Sequence, residues 1–495
     1  MIFLFIGAPL LVAALMPLIG KISKKFLPDL LSNTVFLFLL VLAATSGRQM
    51  ISQGPILKQL QWLGEPINIQ VAVDGFSLFM LMAISLVTLC VGLFSINYMD
   101  HYGSKANYYA LLLMMVTGMN GLVLVTDLFG IYLFLEVAAI ASYALVAYGL
   151  EHDELEAAFK YLMLSVIASA AILIAIAVIF GMTGGLGFTA VAEGLRSLDA
   201  KAVVGFCSAL FIMGFGLKAA LIPFHAWLPD AHPSAPAPIS AILSGLLIKV
   251  SGVYAMTRIF FGVFGMKPGD WLSQVLMVLG AISIVVAAFL ALGQNDMKRM
   301  LAYSSISQVG FVVLGIGLAT PLGIVGGLFH LFNHALAKGL LFLNSGSVQQ
   351  ATGTRNLDEM GGLAKRMPVT AATNIVGALS IAGVPPLGGF WSKLIIIMAL
   401  VQANQWPLAV VAVLASVLTL WYYLLIQRKA FFGQLDERWK AVKEAPFWMA
   451  AASVILALLV IGVGIFFSTV ITSWIQPASD SLTKGIHLAL GSWGL

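Results

Sequence analysis

Charged side chains are scarce in this sequence. They make up 9% of its 495 residues, whereas 60% of the residues are hydrophobic. A soluble domain carries roughly 25% charged residues, so this chain cannot build a water-facing surface, and its hydrophobicity excludes a disordered chain. The composition predicts an integral membrane protein that crosses the bilayer many times. The net charge of +5 then reflects loop topology rather than nucleic-acid binding.

Cysteine and long polar segments are equally scarce. The two cysteines, Cys90 and Cys207, lie far apart in apolar runs, whereas an iron–sulfur cluster takes about four cysteine ligands. Every polar stretch is shorter than about 30 residues, too short to bury a core of its own. A nicotinamide, flavin or ATP site normally needs such a domain, so we expect no cofactor in this chain.

Apolar runs of about 20 residues, the length of a helix that crosses a bilayer, predict fourteen transmembrane helices. The runs lie near 2–20, 30–46, 74–98, 107–126, 127–149, 157–183, 203–228, 234–264, 271–293, 300–318, 320–345, 368–402, 405–427 and 446–475. They are too long for barrel strands and lack polar/apolar alternation. The predicted fold is therefore all-α and polytopic, with one membrane domain over 1–495 and a short surface tail from Gln476 to Leu495.

The loop charges predict the orientation of these helices. Fifteen basic residues lie in loops after odd-numbered spans and seven on the opposite side. Because basic residues concentrate in cytoplasmic loops, we expect both termini outside. The acidic stretch Glu151–Glu156 falls in a loop assigned to the cytoplasm. We interpret it as a solvated loop, with a protein-docking edge as the alternative.

Five charged residues lie deep inside predicted spans, where a charge costs at least about 2.5–3.5 kcal/mol. One is acidic and four are basic: Glu136, Lys218, Lys249, Lys338 and Lys393. They could be structural ion pairs that lock helices together. Because bases outnumber the acid, some lysines must be neutral part of the time or solvated by internal water. This imbalance favours a proton relay.

Prolines predict breaks in two spans, because a proline frees a helix carbonyl that needs another partner. Pro223 follows Lys218 in the seventh span, whereas Pro385 and Pro386 precede Lys393 in the twelfth. The order of charge and break is mirrored, and the two spans run in opposite directions. This arrangement predicts inverted five-helix repeats. The repeats would span 107–264 and 271–427, with 1–98 and 446–475 as flanking helices.

His330, His334 and Lys338 recur every four residues, so they line one stripe of the eleventh helix. The stripe lacks the internal Glu of the metalloprotease motif and a third ligand, so no zinc site is expected. Histidine titrates near neutrality, which favours proton transfer over a structural role for the stripe.

Four motifs resemble one known family. The segments Thr126–Glu136, Pro223–His232, Gln294–Gln308 and Pro385–Lys393 are similar to motifs of the antiporter-like subunits of respiratory complex I. The same family includes subunits of membrane-bound hydrogenases and of multi-subunit sodium/proton antiporters. The resemblance runs from about residue 74 to 432, and it implies fourteen helices with broken helices 7 and 12.

The resemblance also implies a function and a setting. The chain would be a proton-translocating subunit, without redox chemistry of its own, in a prokaryotic inner-membrane complex of the complex I or hydrogenase type. Partners would be other membrane subunits, including antiporter-like ones, and a peripheral redox arm that holds iron–sulfur clusters and nickel–iron or flavin. The main alternative is a sodium/proton antiporter that redox chemistry does not drive, with Na⁺ as a second ion. A third interpretation is a passive scaffold.

The family's site residues carry over to matching positions of this sequence. Glu136 and Lys218 match the coupling ion pair, Lys249 the central lysine, and Lys393 the exit-side residue. His330, His334 and Lys338 match the bridging stripe of the eleventh helix. His225 and His232 are candidates for proton uptake or gating, and their pattern is closer to complex I and hydrogenase members.

Overall fold

Long apolar helices dominate the structure, a computed structural model that describes residues 1–60, 69–198 and 201–483. Thirteen helices of this part of the chain are long and apolar enough to cross a membrane. Helices satisfy every backbone hydrogen bond internally, as a bilayer requires. The predicted all-α polytopic fold is confirmed.

The helices of the first half are α1 (Leu4–Ile22), α2 (Phe26–Gln53), α3 (Gly75–Tyr98), α4 (Lys105–Leu124), α5 (Leu128–Val146), α6 (His152–Thr183), α7 (Phe188–Ser197), α8 (Lys201–Lys218), α9 (Leu228–Ser234), α10 (Ala237–Ile242) and α11 (Ala255–Gly262). Those of the second half are α12 (Trp271–Leu292), α13 (Met297–Gly317), α14 (Pro321–Thr352), α15 (Pro368–Ala382), α16 (Gly388–Gln402), α17 (Trp406–Ile426), α18 (Phe447–Ile465), α19 (Phe467–Val470) and α20 (Gln476–Thr483). Three segments are π-helical: Leu243–Tyr254, Gln427–Phe431 and Ile471–Ile475.

Two predicted spans are interrupted where the prolines lie. α8 ends at Lys218, and helix resumes at α9 after a stretch that contains Pro223. α15 and α16, of 15 residues each, flank Pro385 and Pro386 and together occupy the predicted twelfth span. Thirteen long helices and this broken pair account for the fourteen predicted spans.

The centre of the bundle is formed by α13, α14 and the segment Ala237–Gly262, which are almost entirely buried. Most of their apolar side chains belong to one large core cluster, and Phe311 and Leu314 of α13 belong to a second, smaller one. In contrast, α1, α2, α6, α12 and α17 expose many large apolar side chains on their outer faces, as expected where lipid replaces water. The residues that cannot face lipid are therefore collected on the central helices.

Two local predictions were incomplete or wrong. The polar stretch after α2 forms an antiparallel hairpin of β1 (Ile56–Leu60) and β2 (Ile69–Val73). The start of the expected surface tail is the helix α20, which packs on α3. Gly75 permits this approach, because a Cβ there would lie 2.3 Å from the Pro477 carbonyl oxygen. Residues 484–495 of the predicted tail lie outside the described residues.

Several charges that we assigned to loops are buried. Lys105, Arg258, Lys298 and Glu154 are each less than 10% exposed. Lys105, Lys298 and Glu154 lie in first helical turns that precede the predicted apolar runs, whereas Arg258 lies inside the run 234–264 and pairs with Asp74 at the start of α3. The solvated interpretation of the 151–156 stretch is therefore wrong for Glu154, although Asp153 beside it is exposed.

The first turns of α5 and α13 are held in the same way. Asp127 caps α5 by accepting from the Gly130 amide at 2.6 Å, and Asp296 caps α13 through the Arg299 amide at 3.0 Å. Each cap residue also forms an antiparallel bridge with the chain that follows the next long helix. The backbone pairs are Leu128–Leu186 and Phe188–Thr126 in the first case, and Met297–Arg355 and Leu357–Asn295 in the second. Corresponding partners are separated by one constant sequence offset.

Candidate functional site

Glu136 on α5 and Lys218 at the end of α8 form an ion pair inside the bundle. Lys218 Nζ lies 3.7 Å from Glu136 Oε1. Each member of the pair also contacts one hydroxyl of α6: Lys218 donates to Ser165 Oγ at 2.5 Å, and Ser169 donates to Glu136. Tyr143 also donates to Ser165. The sequence offered one signal for these hydroxyls, namely two serines four residues apart in an apolar helix.

Lys249 lies in the π-helical segment between α10 and α11, and its side chain is fully buried. Its ammonium donates to the Ser244 carbonyl oxygen within the same segment. A π-helix changes the hydrogen-bond register of the backbone and is frequent at functional positions. The Ser244 hydroxyl pairs with that of Ser305 on α13 at 2.7 Å. Lys249 thus has hydroxyl and carbonyl neighbours in place of a carboxylate.

The stripe on α14 crosses the middle of the bundle. His330 shares hydrogen bonds with Ser392 at 2.9 Å and with Gln308 at 3.2 Å. The ring of His334 lies 6.2 Å from that of His330, and neither of its nitrogens has a hydrogen-bond partner among the described residues. Buried polar groups normally have hydrogen-bond partners, so the two unpaired ring nitrogens of His334 are exceptional. They are available to form a new hydrogen bond or to accept a proton.

Lys338 completes the stripe one turn after His334. Its ammonium donates to the Leu301 carbonyl oxygen at 2.8 Å. It also faces the rings of Tyr423 at 5.6 Å and Phe342 at 5.9 Å, which attract a cation through their π faces. Lys249 and Lys338 both lie close enough to His334 to act on it electrostatically. These three groups therefore form one cluster.

Lys393 lies on α16, directly after the break that follows α15. Its ammonium is 3.5 Å from the carbonyl oxygen of Ala382, the last residue of α15, and 4.7 Å from the centre of the Phe311 ring. It lines a cavity of about 280 Å³ at the break. The preceding residue, Ser392, is the hydrogen-bond partner of His330, so the α14 stripe and the twelfth-span lysine meet here.

The two histidines near the seventh-span break differ in burial. His225 is partly exposed, and its ring lies 6.5 Å from that of Tyr303. His232 is fully buried and stacks on Phe342 at 4.5 Å, and neither of its ring nitrogens has a partner among the described residues. Lys249, Lys298 and Lys338 act electrostatically on His232, so it lies beside the central cluster.

The family described as "NADH:quinone oxidoreductase/Mrp antiporter, TM" matches residues 125–419, a range that contains all seven predicted relay residues and both histidines near the seventh-span break. The chain belongs to this family. A second description, "NADH-Ubiquinone oxidoreductase (complex I), chain 5 N-terminus", matches residues 62–109. The family resemblance drawn from the four motifs is confirmed, and the chain is an antiporter-like, proton-translocating membrane subunit.

Relatives of this antiporter-like subunit come from different kinds of complex. It is 31% identical over 493 residues to the NADH-quinone oxidoreductase subunit N of Desulforudis audaxviator, with 96% of this chain and 97% of the relative covered. It is 34% identical over 369 residues to a Na(+)/H(+) antiporter subunit of Alkalihalophilus pseudofirmus, with 74% of each chain covered. A chain of the membrane-bound sulfane sulfur reductase, an archaeal respiratory membrane complex, superposes with a TM-score of 0.90 at 31% identity over 99% of both chains.

Within the antiporter-like subunit, the seven predicted relay residues fall into two groups. One is the Glu136–Lys218 pair, and the other is the cluster around the α14 stripe. Among the described residues, Lys218 and Lys249 share no hydrogen-bond partner, since Lys218 donates to Ser165 and Lys249 to the Ser244 carbonyl oxygen. However, the π-helical segment touches the break after Lys218, since a Cβ on Gly252 would lie 2.5 Å from Ala219. Among the described residues, no group of three or more His, Cys, Asp or Glu side chains could hold a metal ion.

Proposed function

We propose that the chain moves protons across the membrane as a subunit of a redox complex of the complex I or membrane-bound hydrogenase type. One observation carries the proposal: seven titratable side chains extend from α5 to α16 through the bundle, and all of them except the 25% exposed Glu136 are buried. Burying so many ionisable groups is costly unless they are used. The seven include a single carboxylate, that of Glu136, which lies against Lys218. A purely structural salt-bridge network therefore does not account for the other five.

The proposed route starts at the Glu136–Lys218 pair. Separation of the pair, driven by a neighbouring subunit, would release a proton from Lys218 toward Lys249, with internal water crossing the interval between them. From Lys249 the proton would pass to His334 and Lys338, and through His330 to Lys393. The break beside Lys393, with its cavity, would provide the exit to the opposite side.

The setting of the proposed function follows from the relatives. We infer a prokaryotic inner membrane, with both termini outside on the basis of the loop charges. Further antiporter-like subunits and a peripheral redox arm would be partners, and iron–sulfur clusters with nickel–iron or flavin would reside in those partners. The relatives named as a quinone oxidoreductase subunit and as part of a respiratory complex support this branch.

We also propose that residues 107–264 and 271–427 are two inverted repeats within one membrane domain, flanked by 1–98 and 446–475. The matched caps at Asp127 and Asp296 support this division, because their bridges recur at a constant sequence offset. The positions of Lys218 and Lys393 on opposite sides of their breaks add support. The repeats would place the coupling pair and the exit lysine at related positions.

Replacement of the coupling pair tests the relay. Glu136→Ala and Lys218→Ala, each introduced into the complete complex, should abolish most of the proton translocation into inside-out vesicles. Lys160→Ala is the matched control, because Lys160 lies exposed beside Glu156 at 2.7 Å and outside the relay. Assembly of each variant is checked by the amount of this subunit in the purified complex. Translocation at the wild-type rate in both pair variants would contradict the proposal.

The second candidate is a sodium/proton antiporter that works without redox chemistry, and the likeness to the Na(+)/H(+) antiporter relative favours it. Purification in mild detergent, followed by iron analysis and identification of the co-purifying subunits, separates the two. Iron-containing partners support the redox complex. Their absence, together with Na⁺-dependent proton exchange in vesicles, would support the antiporter.

A further inference from the structure

A polar cavity of about 450 Å³ lies at the end of the bundle that carries the loops after the odd-numbered spans. Its walls come from the loop before α6, the chain between α9 and α10, the start of α13 and the end of α14. We call this cavity the polar vestibule. Its lining includes the polar and charged residues Glu154, Ser234, Asp296, Lys298 and Arg355. None of them belongs to the predicted relay.

Glu154 is an unusual wall residue, because it is buried and incompletely paired. It is 9% exposed, and its Oε2 atom has no hydrogen-bond partner among the described residues. The carboxylate packs against Gly149 so closely that a Cβ atom added to this glycine would lie 2.4 Å from Oε2 of Glu154. A carboxylate held in this position, with an unpaired acceptor oxygen beside a polar cavity, is suited to binding a proton.

Lys298 connects the polar vestibule with the interior. Its ammonium is buried and donates to the Ala235 carbonyl oxygen at 2.9 Å. The Ala235 carbonyl oxygen also accepts from the Ser240 hydroxyl at 3.4 Å, and the same hydroxyl donates to the His232 carbonyl oxygen at 2.9 Å. A short chain of contacts thus leads from the polar vestibule to His232, whose ring stacks on Phe342 beside Lys338 of the central cluster.

We propose that the polar vestibule is where protons enter the relay, with Glu154 as the accepting carboxylate and Lys298 as the positioning residue in front of His232. The carboxylate takes a proton from water in the vestibule and becomes the neutral acid. It passes that proton through water to an unpaired nitrogen of His232 and regains its charge. The inference rests on the proposed function and adds the uptake site to it.

The surroundings of these groups define the expected pH dependence. Lys298, Glu151 and Tyr102 act on Glu154 electrostatically, and Arg355, Asp296 and Glu154 act on Lys298.

Glu154→Gln keeps the shape of the side chain and removes its proton-accepting charge. In the assembled complex we expect proton uptake to slow by at least about tenfold at alkaline pH. The slowing should be smaller at acidic pH, where protons are abundant. Glu156→Gln makes the same chemical change on an exposed carboxylate that pairs with Lys160 at 2.7 Å and does not line the vestibule, so it is the control.

A blocking experiment covers the case in which Glu154→Gln fails to assemble. Cys90 and Cys207 are buried, so a cysteine at position 234 is the site open to a membrane-impermeant, negatively charged thiol reagent. Ser234→Cys should lose proton uptake on labelling from the outer face of inside-out vesicles, whereas Lys440→Cys, exposed away from the vestibule, should not. Complete labelling at Ser234→Cys with unchanged uptake overturns the uptake site. If Lys218→Ala still abolishes uptake in the same vesicles, the proposed function survives that result.

Discussion

The ion pair between Asp74 and Arg258 offers the sharpest test of how the bundle is held together. Arg258 donates to the two carboxylate oxygens of Asp74 at 2.6 and 2.5 Å. Its guanidinium also lies over the rings of Phe76 and Tyr254, at 5.0 and 5.2 Å. The contacts join the start of α3 to α11, which continues from the π-helical segment that carries Lys249. We expect Asp74→Asn to destabilise the protein strongly.

The loss of stability caused by Asp74→Asn can be estimated from the interactions that asparagine retains. Asp74 caps α3 by accepting from the Ser77 amide at 2.8 Å, and asparagine caps a helix about as well as aspartate. The loss is therefore confined to the charge, which leaves a buried guanidinium without its partner. Breaking a buried ion pair in this way costs about 3–5 kcal/mol. An exposed pair contributes about 0–1 kcal/mol, so Asp358→Asn, which removes the 2.6 Å contact to Lys429, is the matched control.

The assay uses the burial of Cys90 and Cys207. A dye that fluoresces on reacting with thiols reports thermal unfolding of the purified chain in mild detergent. Asp74→Asn should lower the midpoint well below that of Asp358→Asn, and a second change, Arg258→Met, should recover part of the loss by removing the unpaired charge. Equal midpoints for the two single variants would refute the reasoning.

The pH dependence of the same pair has a definite sign. Burial raises the pKa of Asp74, but the charge and hydrogen bonds of Arg258 outweigh it and hold the pKa below the ordinary 3.8. The stabilisation by Asp74 is therefore complete above pH 3.8 and is lost as the pH falls further through the lowered folded-state pKa. The difference between wild type and Asp74→Asn should accordingly shrink only below about pH 4.

Three further predictions concern the relay and the packing around it. Ser165→Ala removes the 2.5 Å hydrogen bond from Lys218, so proton translocation by the complex should slow by about tenfold; an unchanged rate would mean that the hydroxyl is dispensable. Gly118→Ala places a Cβ 2.4 Å from a backbone nitrogen of α5 and should lower the thermal midpoint by the equivalent of about 1–3 kcal/mol, whereas Gly181→Ala, with open space around it, should not. Burial raises the pKa of Asp127 to about 6, so wild type should lose stability relative to Asp127→Asn as the pH rises from about 4 to about 6; a parallel pair of stability curves would contradict this.

The sequence predicted most of the helical bundle because lipid imposes a length on every span. The apolar runs located the helices, and Pro223, Pro385 and Pro386 located the two breaks. The relay candidates were identifiable for the same physical reason, since an ionisable residue inside an apolar run stands out. Lys218 and Lys393, for example, can be identified from the hydropathy of the sequence without any information about their spatial neighbours.

The residues that escaped prediction depend on distant parts of the chain. Arg258, Lys298 and Glu154 lie at the ends of apolar runs, where hydropathy does not distinguish a covered charge from a solvated one. Arg258 contacts Asp74 and Phe76 at the start of α3, and Lys298 contacts the chain between α9 and α10. The π-helical conformation around Lys249 was equally invisible, because the segment has an ordinary apolar composition. The spacing of Ser165 from the next serine of α6 was too weak a signal to select it among the many serines of the spans.

In the proposed relay, the contacts of the lysines explain why the Glu136–Lys218 pair would be the element that responds to a neighbouring subunit. Lys249, Lys338 and Lys393 each lie against a backbone carbonyl oxygen rather than a carboxylate. A neutral amine retains N–H donors, so it can keep such a contact after it loses a proton. The 3.7 Å contact of Lys218 with Glu136 depends on opposite charges, and its energy disappears when either group is neutralised. A partner that moves α5 relative to α8 would therefore change the charge balance at this pair, while the carbonyl-bound lysines could pass the proton on without rearranging the helices that hold them.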